Sequence, residues 1–75
     1  NQQEILNNIG ARLKDLRKEN GFSNYKEFAK KADVAPYSYQ RIENGLGNYT
    51  ILMLIRVMAE FPDKKLSDLL RELGL

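Results

Sequence analysis

The sequence predicts an all-α chain, a compact five-helix domain over residues 1–75. Three observations carry that prediction. Apolar residues recur at steps of three and four along most of the chain. Glycine, proline and capping residues interrupt the pattern at intervals that suit short helices. The stretch Asn24 to Asn44, NYKEFAKKADVAPYSYQRIEN, reads as two short helices around a tight turn. At 75 residues the core is small, a size at which self-association often adds stability.

Leu6, Ile9, Leu13 and Leu16 define a first helix from about residue 3 to 19, closed at Gly21. Asn24 caps a second helix that begins near Tyr25, with Glu27 reaching back as a capping box. Phe28, Ala29 and Ala32 form its inward stripe and Lys26, Lys30 and Lys31 its solvent side. Ala29 is the small residue that a close, steep helix crossing needs, and Asp33 takes the left-handed turn position. Pro36 suits the first position of a third helix, which ends near Asn44 with Gly45 as left-handed C-cap. Val34, Tyr39 and Ile42 then face the core, leaving Tyr37, Ser38 and Arg41 on an outer face with Pro36 at its leading end.

Thr50 caps a fourth helix, with Ile51, Leu54, Ile55, Val57, Met58 and Phe61 inward. Pro62-Asp63 break it and start a fifth helix carrying Leu66, Leu69, Leu70 and Leu73. Leu54, Ile55, Leu69 and Leu70 are assigned to the core. Leu52 and Met53 lie outside the main stripe, and with Leu73 and Leu75 they form a candidate dimer surface.

The residues Arg12-Leu13, Leu16-Arg17, Gly21, Phe28-Ala29, Val34, Arg41-Ile42-Glu43-Asn44-Gly45, Thr50-Ile51, Leu54, Val57 and Phe61 together resemble the phage-repressor-like helix-turn-helix proteins, the XRE or Cro/repressor type. The resemblance covers most of the chain. It implies a lambda-repressor-like fold and double-stranded DNA as partner. It also implies that Arg17 pairs with Glu43 and lies close to a DNA phosphate. By the same resemblance Asn24, Tyr25 and the loop from Asn44 through Asn48 contact phosphate. The chain departs from the family pattern in four places. Tyr25 stands where Gln is common, and Ser23 lengthens the approach to the second helix by one residue. Ala35 replaces a Ser or Thr cap, a loss of roughly 1 kcal/mol. Leu46-Gly47-Asn48 carries no Lys or Arg.

Residue chemistry assigns roles on the outer face of the third helix. Arg41 can set two N–H donors on O6 and N7 of a guanine, a contact worth about 1–3 kcal/mol of discrimination. Pro36, Tyr37 and Ser38 complete the base-reading set, although Tyr37 and Ser38 suit phosphate equally well. Lys26 and Asn44 join the phosphate candidates Arg17, Asn24, Tyr25 and Asn48; as surface residues they need no partner at all. An Arg17–Glu43 pair would also tie the first helix to the third without DNA.

Charge is segregated. From Arg12 to Arg41 there are eight basic and four acidic side chains, a balance of +4, and the remainder holds four against six, a balance of −2. Positive potential on the motif half attracts phosphate. Cysteine and histidine are absent, and no glycine-rich phosphate loop or carboxylate cluster at metal spacing is found, which argues against an enzyme, a metal site, a cofactor or a small-molecule ligand. No run of about 18 apolar residues or basic-apolar leader appears, so a cytoplasmic protein is expected; a chain that starts at Asn leaves room for residues upstream. Two functions fit. One is a small dimeric transcriptional regulator, a repressor, that lays its third helix in the major groove. The alternative is a protein-interaction module of the same fold, antitoxin-like or an adaptor, with a toxin or regulator as partner.

Overall fold

Helix α1 (Gln2–Glu19) opens on Asn1, whose side chain accepts the Glu4 N–H at 2.9 Å. It is followed by α2 (Tyr25–Lys31), α3 (Pro36–Glu43), α4 (Ile51–Met58) and α5 (Leu66–Glu72), the all-α order that the periodicity predicts. The computed structural model describes residues 1–47 and 49–75. Helices α1, α2, α3 and α5 end alike, in a left-handed residue flanked by two bonds that turn back into the last helical turn. In α2 that residue is Asp33, at φ 60°: its N–H donates to the Lys30 carbonyl at 3.1 Å and the Val34 N–H to the Ala29 carbonyl at 2.9 Å. A short polar side chain tolerates this conformation better than a branched one.

Packing centres on Phe28, fully buried, whose ring meets Phe22 edge-on at 5.2 Å, Tyr39 at 5.1 Å and Phe61 in a stack at 5.4 Å. Leu13, Ile42, Val57 and Leu69 complete the innermost layer. Helix α3 rests on both α1 and α2, while α4 and α5 pack on each other. The approach of α1 to α3 depends on Gly10: a Cβ there would lie 2.4 Å from the Ile42 carbonyl oxygen and 2.6 Å from that of Glu43. Ala29, with no exposed surface, plays the matching part between α2 and α3.

Several expectations need correction. Ile51 and Ile55 do not point inward; they are 60% and 50% exposed. The buried stripe of α4 and its exit is Leu54, Val57, Met58 and Phe61. At about 100° per residue Ile55 lies roughly a quarter turn off the centre of that stripe. Helix α4 stops at Met58, and Phe61 is buried from the connection. The residue before a proline is pushed out of helical geometry, and here the chain tightens into bonds from Glu60 N to Val57 O and from Phe61 N to Met58 O. Pro62-Asp63 form a turn and α5 begins only at Leu66, where the Asp68 carboxylate accepts the Lys65 N–H at 2.8 Å. Leu6, Leu66, Leu70 and Leu73 are half-buried. The cap of α2 is a single bond from the Lys26 N–H to the Asn24 side chain at 2.7 Å, without the reciprocal Glu27 bond of a capping box.

Candidate nucleic-acid interface

The interface is built outward from the buried side of α3. Tyr39 and Ile42 have no exposed surface, so the opposite side of this helix must face solvent. Pro36 begins it without help from Ala35, which makes no side-chain cap bond. Tyr37 is 61% exposed, Arg41 is exposed and Ser38 half-buried, so one face brings together three of the four residues assigned to base reading, with half-buried Pro36 at its first turn.

The far end of α3 is clamped. Arg17 Nε donates to Glu43 Oε2 at 2.7 Å and Nη2 to Glu43 Oε1 at 3.2 Å, while Nη1 donates to the Phe22 carbonyl at 2.7 Å. A two-pronged guanidinium–carboxylate pair resists rotation as well as separation. The Glu43 bonds raise the Arg17 pKa. Arg17 is 4% exposed, so little of its guanidinium is left for a phosphate. The Tyr39 hydroxyl is buried and has no hydrogen-bond partner among the described residues. Burial, reinforced by the Glu43 charge, pushes its pKa far up.

Arg41 makes no side-chain hydrogen bond or ion pair among the described residues, yet it has neighbours. Its guanidinium carbon lies 5.8 Å from the centre of the Tyr37 ring. A Cβ on Gly47, at φ 72°, would come within 2.8 Å of Arg41 Nη2. Beside Arg41 a cavity of about 70 Å³ is lined also by Ser38, Leu46, Tyr49 and Met53. The Tyr49 hydroxyl is buried without a partner among the described residues, and burial raises its pKa.

The residues assigned to phosphate contact are spread along the motif. Asn24 is exposed but its side-chain oxygen is engaged in capping α2; Tyr25 is half-buried against the core; Lys26 is exposed. Asn44 is exposed at the end of α3, where Gly45 at φ 70° lies so close to α1 that a Cβ would meet Asn7 Oδ1 at 2.2 Å. Asn48 lies outside the described residues. Two arginines in the basic half do not act as free charge: Arg17 pairs with Glu43, and Arg12 with Glu72 at 2.9 Å and Glu19 at 3.3 Å. Lys14, Lys18, Lys26, Lys30, Lys31 and Arg41 remain exposed.

The residues assigned to a dimer surface divide. Leu52 and Leu75 are 51% and 56% exposed, whereas Met53 and Leu73 pack partly against the core. Ile51 and Ile55 join Leu52 in an apolar face on α4. Sequence reasoning also missed Gly10 and Gly47. The first is an isolated glycine inside a helical pattern, which itself signals close backbone approach; the second carries no such signal.

No helix is long and apolar enough to cross a membrane, and no group of three potential metal ligands occurs among the described residues. Comparison with known families matches residues 13–69 to the family described as Helix-turn-helix, from the middle of α1 into α5. No curated protein and no solved structure matches the chain.

Proposed function

The chain belongs to the Cro/repressor type of the helix-turn-helix family, a family of DNA-binding transcription regulators, and on that premise we propose that it is a cytoplasmic, homodimeric repressor reading double-stranded DNA with α3 in the major groove. One observation carries the reading. Helix α3 is held on two sides, by the buried Tyr39 and Ile42 and by the Arg17–Glu43 clamp, and presents Tyr37, Ser38 and Arg41 outward. A rigid backing and a polar, cationic front are what groove recognition requires. Arg41 takes a guanine through O6 and N7. Ser38 and the leading Pro36 border the neighbouring bases, with the Tyr37 ring beside Arg41. Asn24, Lys26, Asn44 and Asn48 meet phosphate, and Tyr25 flanks them. Arg17 serves chiefly to hold α3, since its guanidinium is already bonded on three nitrogens.

The second copy sits on the apolar face of α4, with Ile51, Leu52 and Ile55 at its centre and Leu75 as a candidate margin. Met53 and Leu73 support that face from the core. Selection from a random duplex pool with the parent chain and Arg41→Ala tests the proposal. An inverted repeat with half-sites about one turn apart should be enriched by the parent and weakened in the variant by about 1–3 kcal/mol at one guanine. Absence of any enriched sequence with the parent chain would reject DNA reading and favour a protein partner for the α4 face.

A further inference from the structure

We infer that Tyr37 and Gly47 form a socket that holds the Arg41 guanidinium in place before DNA arrives, making them positioning residues for base recognition. This rests on the reading of Arg41 as the guanine contact. Three features meet at this one side chain. The Tyr37 ring stands one helical turn before Arg41 on α3, with its centre 5.8 Å from the guanidinium carbon. An aromatic face attracts a cation without occupying any N–H group. Gly47, in the loop that leads from α3 towards α4, leaves the space that Arg41 Nη2 fills: a Cβ would sit 2.8 Å from that nitrogen and 3.7 Å from Cζ and Nε. The exposed Arg41 side chain also borders the small cavity completed by Ser38, Leu46, Tyr49 and Met53, so loop and helix both flank it.

The arrangement answers a problem that arginine poses. A long, mobile side chain loses rotamer freedom when it binds a base, and holding it beforehand removes part of that loss from the binding step. Packing does so here with no side-chain hydrogen bond from Arg41 to any described residue, which keeps the fork of donors for the guanine. The loop lacks lysine and arginine. In this reading its contribution is to shape Arg41, with the missing side chain of Gly47 as its working part.

The test uses the whole chain and the duplex selected from the random pool, compared with the same duplex carrying 7-deazaguanine at each guanine in turn. Removing N7 deletes one acceptor of the arginine contact. The parent should discriminate between the two duplexes at one position, and Arg41→Ala should not. Tyr37→Leu and Gly47→Ala should each lower that discrimination roughly two- to tenfold, while Tyr37→Phe keeps it and the dependence on salt stays as in the parent. Because Tyr37 is exposed, its variants keep the fold, and thermal unfolding checks Gly47→Ala, whose backbone is strained at positive φ. Tyr37→Leu combined with Arg41→Ala should bind the selected duplex no more weakly than Arg41→Ala alone. If Arg41→Ala loses the discrimination and both Tyr37→Leu and Gly47→Ala retain it, the socket is refuted and the guanine contact stands. If Tyr37→Leu weakens binding of that duplex by the same factor with Arg41→Ala as without it, Tyr37 touches DNA directly and the socket is again refuted. If Arg41→Ala discriminates as the parent does, the guanine reading itself falls.

Discussion

At the scale of single residues, the molecule turns on a buried pair. Arg17 and Glu43 bring a charge of each sign into a space where both side chains are at most 7% exposed, and the two prongs at 2.7 and 3.2 Å plus the Phe22 carbonyl offset the lost hydration. Breaking such a pair by removing one partner leaves the other charge buried and alone. Glu43→Gln is therefore expected to destabilise the fold by about 3 kcal/mol, read from the midpoint of urea unfolding. Arg17→Met combined with Glu43→Leu should recover most of that loss, since no charge is then left unpaired. A cost below about 1 kcal/mol for Glu43→Gln would mean that the pair behaves as a surface ion pair. The partners of this pair could be named in advance because their residue types and separation belong to a known pattern. The helical spacing of Tyr37 and Arg41 was equally legible, whereas Gly47 was not, because it is brought to Arg41 only by the course of the chain after Gly45.

At the scale of the helices, glycine and proline decide what periodicity leaves open. Gly10 lies inside α1, where Ala would gain about 1 kcal/mol of helix propensity. Its Cβ, however, would fall 2.4 Å from the Ile42 carbonyl, against backbone that cannot swing aside. Gly10→Ala should push α1 from α3 and cost about 1–3 kcal/mol net, and each kcal/mol lowers the melting temperature of a domain this size by roughly 4–8 °C. A melting temperature equal to or above that of the parent would show that α1 and α3 have slack between them. The same reasoning explains the fourth and fifth helices. Pro62 ends the helical run earlier than the apolar pattern suggests, because it restricts Phe61 before it restricts itself. Phe61 keeps its buried place all the same, stacked on Phe28.

At the scale of the whole molecule, charges far apart in sequence tie the ends together. Glu72 on α5 accepts from Arg12 on α1 at 2.9 Å and is paired with Lys64 from the connection before α5. The Arg12 hydrogen bond first, then that of Lys64, lowers the Glu72 pKa from 4.5 to about 2. A carboxylate whose pKa falls on folding stabilises the fold above its unfolded value and loses that contribution as pH drops through the folded value. Stability should thus decline between about pH 4.5 and pH 2. Glu72→Gln should flatten that part of the profile and leave the parent's slope elsewhere unchanged, a comparison made by thermal unfolding in a pH series. An identical acid limb in both proteins would rule out Glu72 as its source. The contact is screened where it meets solvent, so added salt should also reduce the difference.

The order and type of the five helices, the close crossing at Ala29, the left-handed turn at Asp33 and the stop at Gly45 were all legible from residues alone. Each follows from a local rule: a side-chain period, a cap, or a backbone angle that few residues adopt. The burial of α4 was not. A run as apolar as Ile51 to Met58 suits several inward faces, and the choice that leaves Ile51, Leu52 and Ile55 in solvent is made by where α5 and the Phe28 cluster lie. The approach of Gly47 to Arg41 likewise depends on the course of the loop after α3, and the pairing of Arg12 with Glu72 on contact between segments distant in the chain. Sequence spacing carries the period of one helix, while the rotation of each helix about its axis and the company its side chains keep are set by packing against the others.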